Sequence, residues 1–191
     1  MIRMASLRVV TAIAALFWLS ASAAAVDKAE QQRQEIRSVA RSAIEHLYEV
    51  QPKAREALEG AAGYAVFSNF GLKLFVGGGG SGNGVAFDRT AQSVTYMKMA
   101  EIQAGLGFRL KKYQQIWVFE NASDLERFIN SGWELGAQTT ASAALNNQGG
   151  SLFTGAMSVR PGVWLYQFSG DGLALDVTAK GTKYYRNKKL N

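Results

Sequence analysis

The chain has 191 residues, with 21 Lys and Arg against 15 Asp and Glu, one His and no Cys, a length that fits about one domain. Its 48% hydrophobic and 19% charged residues can build a core, which argues against wholesale disorder. The lack of cysteine excludes disulfides, thiolate metal sites, a cysteine nucleophile and a lipid-bearing lipobox, and twenty glycines against two prolines point to turns and close backbone approaches.

Arg3 and Arg8 precede an uncharged, mostly apolar stretch from Val9 to Ser20, and small residues follow from Ala21 to Ala25. This is the three-part pattern of a secretory signal, with a small-x-small cleavage site at Ala21-Ser22-Ala23 or Ala23-Ala24-Ala25. The rival is an uncleaved anchor, but a stretch so rich in Ala and Ser is thin for a span of ~20 strongly apolar residues. We therefore expect residues 1–25 to be a cleaved signal and residues 26–191 to form one exported domain. A bacterial periplasm, with peripheral membrane association, suits a cysteine-free protein held by packing alone. Cutting after Ala25 leaves a net charge of 19 − 15 = +4.

From Asp27 to Val50 the apolar residues Ile36, Val39, Ala40, Ala43, Ile44, Leu47 and Val50 fall at helical spacing on one face. Pro52 suits the first turn of a second short helix through Ala54, Ala57 and Leu58, closed by Gly60 and Gly63. Beyond Gly63 the period becomes two. Tyr64 to Phe70, Leu72 to Val76, Val85 to Asp88, Val94 to Met99 and Ala104 to Leu110 read as short strands separated by Gly, Asn or Asp. Gln115 to Phe119 is apolar on both sides, as a strand covered on both faces would be. Ser123 and Glu126 suggest a capping box ahead of Leu125, Phe128 and Ile129, with Gly132 as the stop. Asn121-Ala122-Ser123, formally a glycosylation acceptor, fits the same helix cap. Strands resume through Gly136 to Leu145, Val159 to Phe168 and Leu173 to Thr178, the last two joined by a turn at Gly170-Asp171-Gly172. The expected fold is α+β: N-terminal amphipathic helices packed on a curved, mainly antiparallel β-sheet with one inserted helix.

Gly77-x-Gly79-x-x-Gly82 matches the dinucleotide fingerprint, but that fingerprint needs a helix N-terminus after it to receive phosphate. Val85-Ala86-Phe87 is a strand pattern, so a hairpin turn or sharp sheet bend is favoured. His46 is the lone imidazole, set in an amphipathic helix, and reads as a surface side chain rather than part of a relay or metal site. No catalytic residue, metal site or cofactor is expected.

The basic residues carry more. Arg33, Arg37 and Arg41 are spaced by four beside the apolar stripe. Like charges at that spacing oppose the helix by ~0.2–0.5 kcal/mol per pair, so the row needs Glu30, Glu45 or an anionic surface to offset it. Such an edge belongs equally to a membrane-interface helix and to a helix packed on its own sheet. Within Ala104 to Lys111, Gly105 and Gly107 leave a trough that ends at Arg109 and Lys111, with Lys112 beside them. Lys180, Lys183, Arg186, Lys188 and Lys189 interleave with Tyr184 and Tyr185 near the C-terminus, a pattern that suits a phosphate-rich surface or plain solvated charge.

The order of blocks resembles the SYLF domain, also called the yeast-type actin-binding domain. The likeness runs through Ala54 to Gly60, Gly63-Tyr64-Ala65-Val66-Phe67, Gly78-Gly79-x-x-Gly82-x-Gly84-Val85, Ala104-Gly105-Leu106-Gly107, Ile116-Trp117-Val118-Phe119, Phe128 to Gly136, and Tyr166 to Leu173. It covers roughly Lys28 to Tyr185. Ser68 and Leu175-Asp176 depart from the family pattern, and no Src-homology-3 domain follows. The resemblance implies lipid binding, with phosphoinositides and actin as partners of cytosolic members. For an exported chain only affinity for an anionic lipid or membrane surface carries over, and neither actin nor nucleic acid is expected as a partner. The reading is a non-enzymatic lipid-surface module using Arg33, Arg37, Arg41, Arg109, Lys111 and Lys112. The alternative is an envelope scaffold that binds another protein or a polysaccharide.

Overall fold

The computed structural model describes residues 5–69, 79–102, 113–135, 151–169, 172–173 and 182–191, with the side chains of the first helix described from Lys28. Helix α1 (Ala5–Val50) runs without a break through the predicted cleavage point, and the first described residue packed on the domain is Ala29. A short α2 (Ala54–Gly60) follows. The strands are β1 (Gly63–Ser68), β2 (Gly79–Asp88), β3 (Ser93–Ile102), β4 (Tyr113–Phe119), β5 (Trp133–Leu135), β6 (Met157–Arg160), β7 (Val163–Ser169), β8 (Gly172–Leu173) and β9 (Thr182–Arg186), with α3 (Ala122–Ser131) between β4 and β5. They form a curled antiparallel sheet in the order β5-β9-β3-β2-β1-β4-β7-β6, and β8 pairs with β7 beyond the end of β6. The α+β architecture inferred from periodicity is therefore the one observed.

Alternation along the strands divides the apolar side chains between two faces. Val66, Val85, Tyr96, Ile116, Val118 and Tyr166 lie under α1 and α2, together with Phe153 of a single 3-10 turn at Ser151–Phe153. Ala65, Phe67, Met97, Met99, Trp117, Phe119 and Tyr184 lie under α3. Strand β4 is accordingly buried on both sides, as its unbroken apolar run requires.

Of the stripe read from spacing, Ile36, Ala40, Ala43 and Leu47 are buried against the sheet and its neighbours, Val39 and Ile44 are partly covered, and Val50 at the helix end is exposed. Helix α1 lies across the strands. Arg33 meets Tyr96 of β3, while the His46 ring stands 5.2 Å from Phe168 of β7. Those strands are four steps apart in the sheet, ~19 Å at the usual spacing. The 13 residues from Arg33 to His46 rise ~20 Å in a helix, so the two lengths agree.

Four local expectations change. Gly79 to Gly84 lie inside β2 instead of in a turn. Their service is space: a Cβ on Gly84 would sit 2.5 Å from Cε1 of Phe67 and 2.7 Å from the Val66 carbonyl, and one on Gly82 2.5 Å from Cε of Met99. The capping box is also misplaced by two residues. Asn121 holds the extended cap conformation and accepts from the backbone N–H groups of Asp124 and Leu125, so Ser123 is already helical. Val159 to Phe168 is a hairpin, β6–β7, turning at Pro161-Gly162, because proline cannot donate inside a ladder. Gly60 is an ordinary last helical residue, while Gly63 starts β1. Gly132 does end α3, with φ 69° where the Tyr184 carbonyl leaves no room for a side chain. The expected strands at Leu72 to Val76, Ala104 to Leu110 and Gly136 to Leu145 lie outside the described residues.

Candidate anionic-surface interface

Arg33 and Arg37 stand one turn apart on the flank of α1 that faces β3. Glu30 lies between them and takes both: Arg33 Nη1 donates to Oε2 at 3.1 Å and Arg37 Nη2 to Oε1 at 2.9 Å. Both guanidinium groups also rest over the Tyr96 ring, 5.9 and 5.8 Å from its centroid, an attraction of ~0.5–1 kcal/mol at an exposed site. Arg33 Nε donates in addition to the Leu190 carbonyl at 2.9 Å. These contacts offset the repulsion inherent in the arginine row. They also hold two of its three members in place, with Glu30, one of the two carboxylates that spacing offered as an offset, supplying the pairs. Arg41 is exposed and forms no ion pair with any described residue. Glu45 takes no part among the described ion pairs. Arg109, Lys111 and Lys112 lie outside the described residues.

Counted by side chain, residues 28–50 of α1 are neutral: Lys28, Arg33, Arg37 and Arg41 against Glu30, Glu35, Glu45 and Glu49. The cationic character sits on one flank of the helix, not on the helix as a whole. Residues 182–191 behave differently, with Lys183, Arg186, Lys188 and Lys189 and no carboxylate side chain. Sequence reasoning leaves this segment between a phosphate-facing surface and solvated charge; it folds as a strand and a clamped turn. Thr182 and Tyr184 are buried, whereas Lys183 and Tyr185 face outward; that alternation was the available signal. The Tyr184 hydroxyl donates to Gln115 Oε1 at 2.5 Å, and Gln115 Nε2 donates to Gln167 Oε1 at 2.9 Å, all three buried.

The clamp is made by asparagines. After β9 leaves β3, the Asn187 N–H donates to the Tyr96 carbonyl at 2.9 Å. The Asn191 carboxamide then takes both main-chain positions of Tyr96, accepting from its N–H at 2.9 Å and donating to its carbonyl at 2.8 Å. Leu190 is buried in the α1 side of the core, and its N–H closes a turn on the Asn187 carbonyl at 3.1 Å. Lys188 and Lys189 form the exposed tip.

His46 is exposed, with Nδ1 3.7 Å from Glu49 Oε2. Among the described residues, no three His, Asp or Glu side chains gather as metal ligands. A small pocket of ≈ 40 Å³ between α1 and the sheet, bordered by Glu35, Val39, Ser68 and Asn83, has room for only a few waters. Among residues with described side chains, no helix is long and apolar enough to cross a membrane.

No protein-family model matches the chain. It is 33% identical over 166 residues to Beta cell expansion factor A of Aeromonas veronii, an alignment that takes in 85% of this chain and 60% of that protein. The chain thus spans about three-fifths of the length of this curated relative.

Proposed function

We propose that the protein is an exported, non-enzymatic SYLF-type module that lies peripherally on an anionic membrane surface. The observation that carries this is the α1 flank: Arg33, Arg37 and Arg41 follow one another a turn apart, with Glu30 paired to the first two and Glu45 a turn beyond the third, so that 3 − 2 = +1 remains. The signal-like N-terminus and the order of SYLF-like blocks support the compartment and the type, and the bacterial source of the relative fits an envelope location. With the apolar stripe of α1 packed on its own sheet, contact is electrostatic, not insertion of that helix. It is therefore screened as the Debye length falls from ~10 Å at 0.1 M salt to ~3 Å at 1 M. The test is co-sedimentation of the secreted protein with phosphatidylglycerol and phosphatidylcholine vesicles. Binding to the first alone, released by high salt, is expected; failure to bind the anionic vesicles at low salt refutes the proposal.

The occupied stripe favours a second reading, an envelope scaffold for another protein or a polysaccharide. On that reading the protein ignores both vesicle types, while crosslinking in intact cells recovers one defined partner.

A further inference from the structure

Charge is not spread evenly over the residues with described side chains. Arg33 and Arg37 lean on Tyr96 of β3. Lys98 lies two residues further along that strand on the same face, directly opposite Tyr185 of β9, and Lys183 is opposite Ala100 in the same register. The turn bearing Lys188 and Lys189 is tied to Tyr96 through Asn187 and Asn191, and Arg33 is bonded to Leu190 within it. Six cations therefore meet at one corner. Among the described residues, Glu30 and Glu134, the latter opposite Lys183 on β5, are the carboxylate side chains set beside them. The balance is 6 − 2 = +4, while the other residues with described side chains carry 14 − 6 = 8 cations against 11 − 2 = 9 carboxylates. Arg41 extends the same flank one turn along α1.

We propose that this corner, formed jointly by α1, β3, β9 and the clamped turn, is the face that the protein lays on an anionic lipid surface. The inference rests on the membrane-surface reading above and names where the contact is made. Two features favour a bilayer over a soluble polyanion. First, the cations come from a helix, two adjacent strands and a turn, a patch instead of the linear track that a polymer follows. Second, the lysines are point charges on long stems, able to meet headgroup phosphates in many orientations, and the half-exposed Tyr185 ring beside Lys98 has the apolar body and polar tip that suit a headgroup layer. The asparagine clamp holds the turn in place beforehand, so little ordering is needed on contact.

Each cation near an anionic surface contributes about 1 kcal/mol, or about fivefold in affinity. The combined substitution Lys183→Gln, Lys188→Gln and Lys189→Gln is then expected to weaken binding to phosphatidylglycerol vesicles about a hundredfold. A control with the same charge change on other surfaces, Lys53→Gln, Arg89→Gln and Arg127→Gln, is expected to weaken it less than about fivefold. Unchanged circular dichroism and Tm confirm that both variants are folded. Equal losses in the two variants overturn the corner while leaving membrane binding intact. Absence of binding by the unaltered protein overturns the underlying reading. Capture of inorganic polyphosphate with indifference to vesicles overturns the lipid surface in favour of a soluble polyanion.

Discussion

The glycines of β2 allow a sharp test of packing against ligand binding. Gly84→Ala adds one methyl group where Phe67 and the Val66 carbonyl already sit, at 2.5 and 2.7 Å from the new carbon. Neither neighbour can yield easily. Val66 belongs to the ladder between β2 and β4, and Phe67 is wedged edge-on between Tyr184, 4.8 Å away, and Phe128, 5.9 Å away. Displacing Phe67 also presses on Tyr184, whose hydroxyl anchors the buried Gln115–Gln167 pair. Overpacking of this kind costs ~1–3 kcal/mol, against which the lost glycine freedom of the unfolded chain returns ~0.5–1 kcal/mol. We expect a net loss of about 2 kcal/mol, seen as a fall in Tm of ~4–8 °C for a domain of this size and a lower urea midpoint at constant slope. Gly60→Ala is the matched control. It lies at the end of α2 with nothing within 4 Å of the added carbon, so the same chemistry is expected to stabilise by ~0.5–1 kcal/mol. Pairing Gly84→Ala with Phe67→Leu should recover part of the loss, a coupling that a thermodynamic cycle measures. A Gly84→Ala protein within ~0.5 kcal/mol of the parent would refute the argument that this glycine exists to admit Phe67.

Tyr166 is buried with no hydrogen-bond partner for its hydroxyl among the described residues, and burial pushes its pKa up to about 12. The unfolded chain loses this proton near ~10 while the folded one keeps it, so stability is complete below pH ~10 and declines as pH rises toward about 12. Two units correspond to roughly 3 kcal/mol. Tyr166→Phe should flatten that decline in chemical denaturation run across the range, and should leave neutral-pH stability equal or higher because an unsatisfied hydroxyl is removed. Asn191→Ala leaves the Tyr96 N–H without its partner. A loss of ~1–2 kcal/mol is expected, together with weaker vesicle binding as the Lys188–Lys189 turn loosens; unchanged binding would show that the clamp has no part in contact. A chain beginning at Val26 should melt within ~2 °C of the full chain, since described packing starts at Ala29. A large drop would place essential contacts in the leader.

Periodicity made much of the fold legible. A stripe at helical spacing became the buried face of α1, and the two-sided apolar run of β4 became a strand covered by α1 on one face and α3 on the other. The failures share a cause. Ser123 satisfied a cap pattern, but the choice of Asn121 depended on where β4 releases the chain. The glycine run suggested a turn because glycine permits one; its real constraint, the Phe67 ring, belongs to another strand. Strand β9 is five cation-rich residues whose burial comes from Met99 and Phe67, far away in the chain, so local pattern alone undervalued it.

Composition, spacing and periodicity were enough to establish the α+β class, the apolar stripe of α1, the arginine row and the net +6 of the chain, because each is a property of neighbouring residues or of a sum. Which cations stand together was decided only by the tertiary structure. Glu30 ties down two arginines of the expected row, and strand pairing carries Lys98, Lys183, Lys188 and Lys189 to their side. Electrostatic potential depends on distance in space, and it is the folded sheet that converts separation along the chain into proximity.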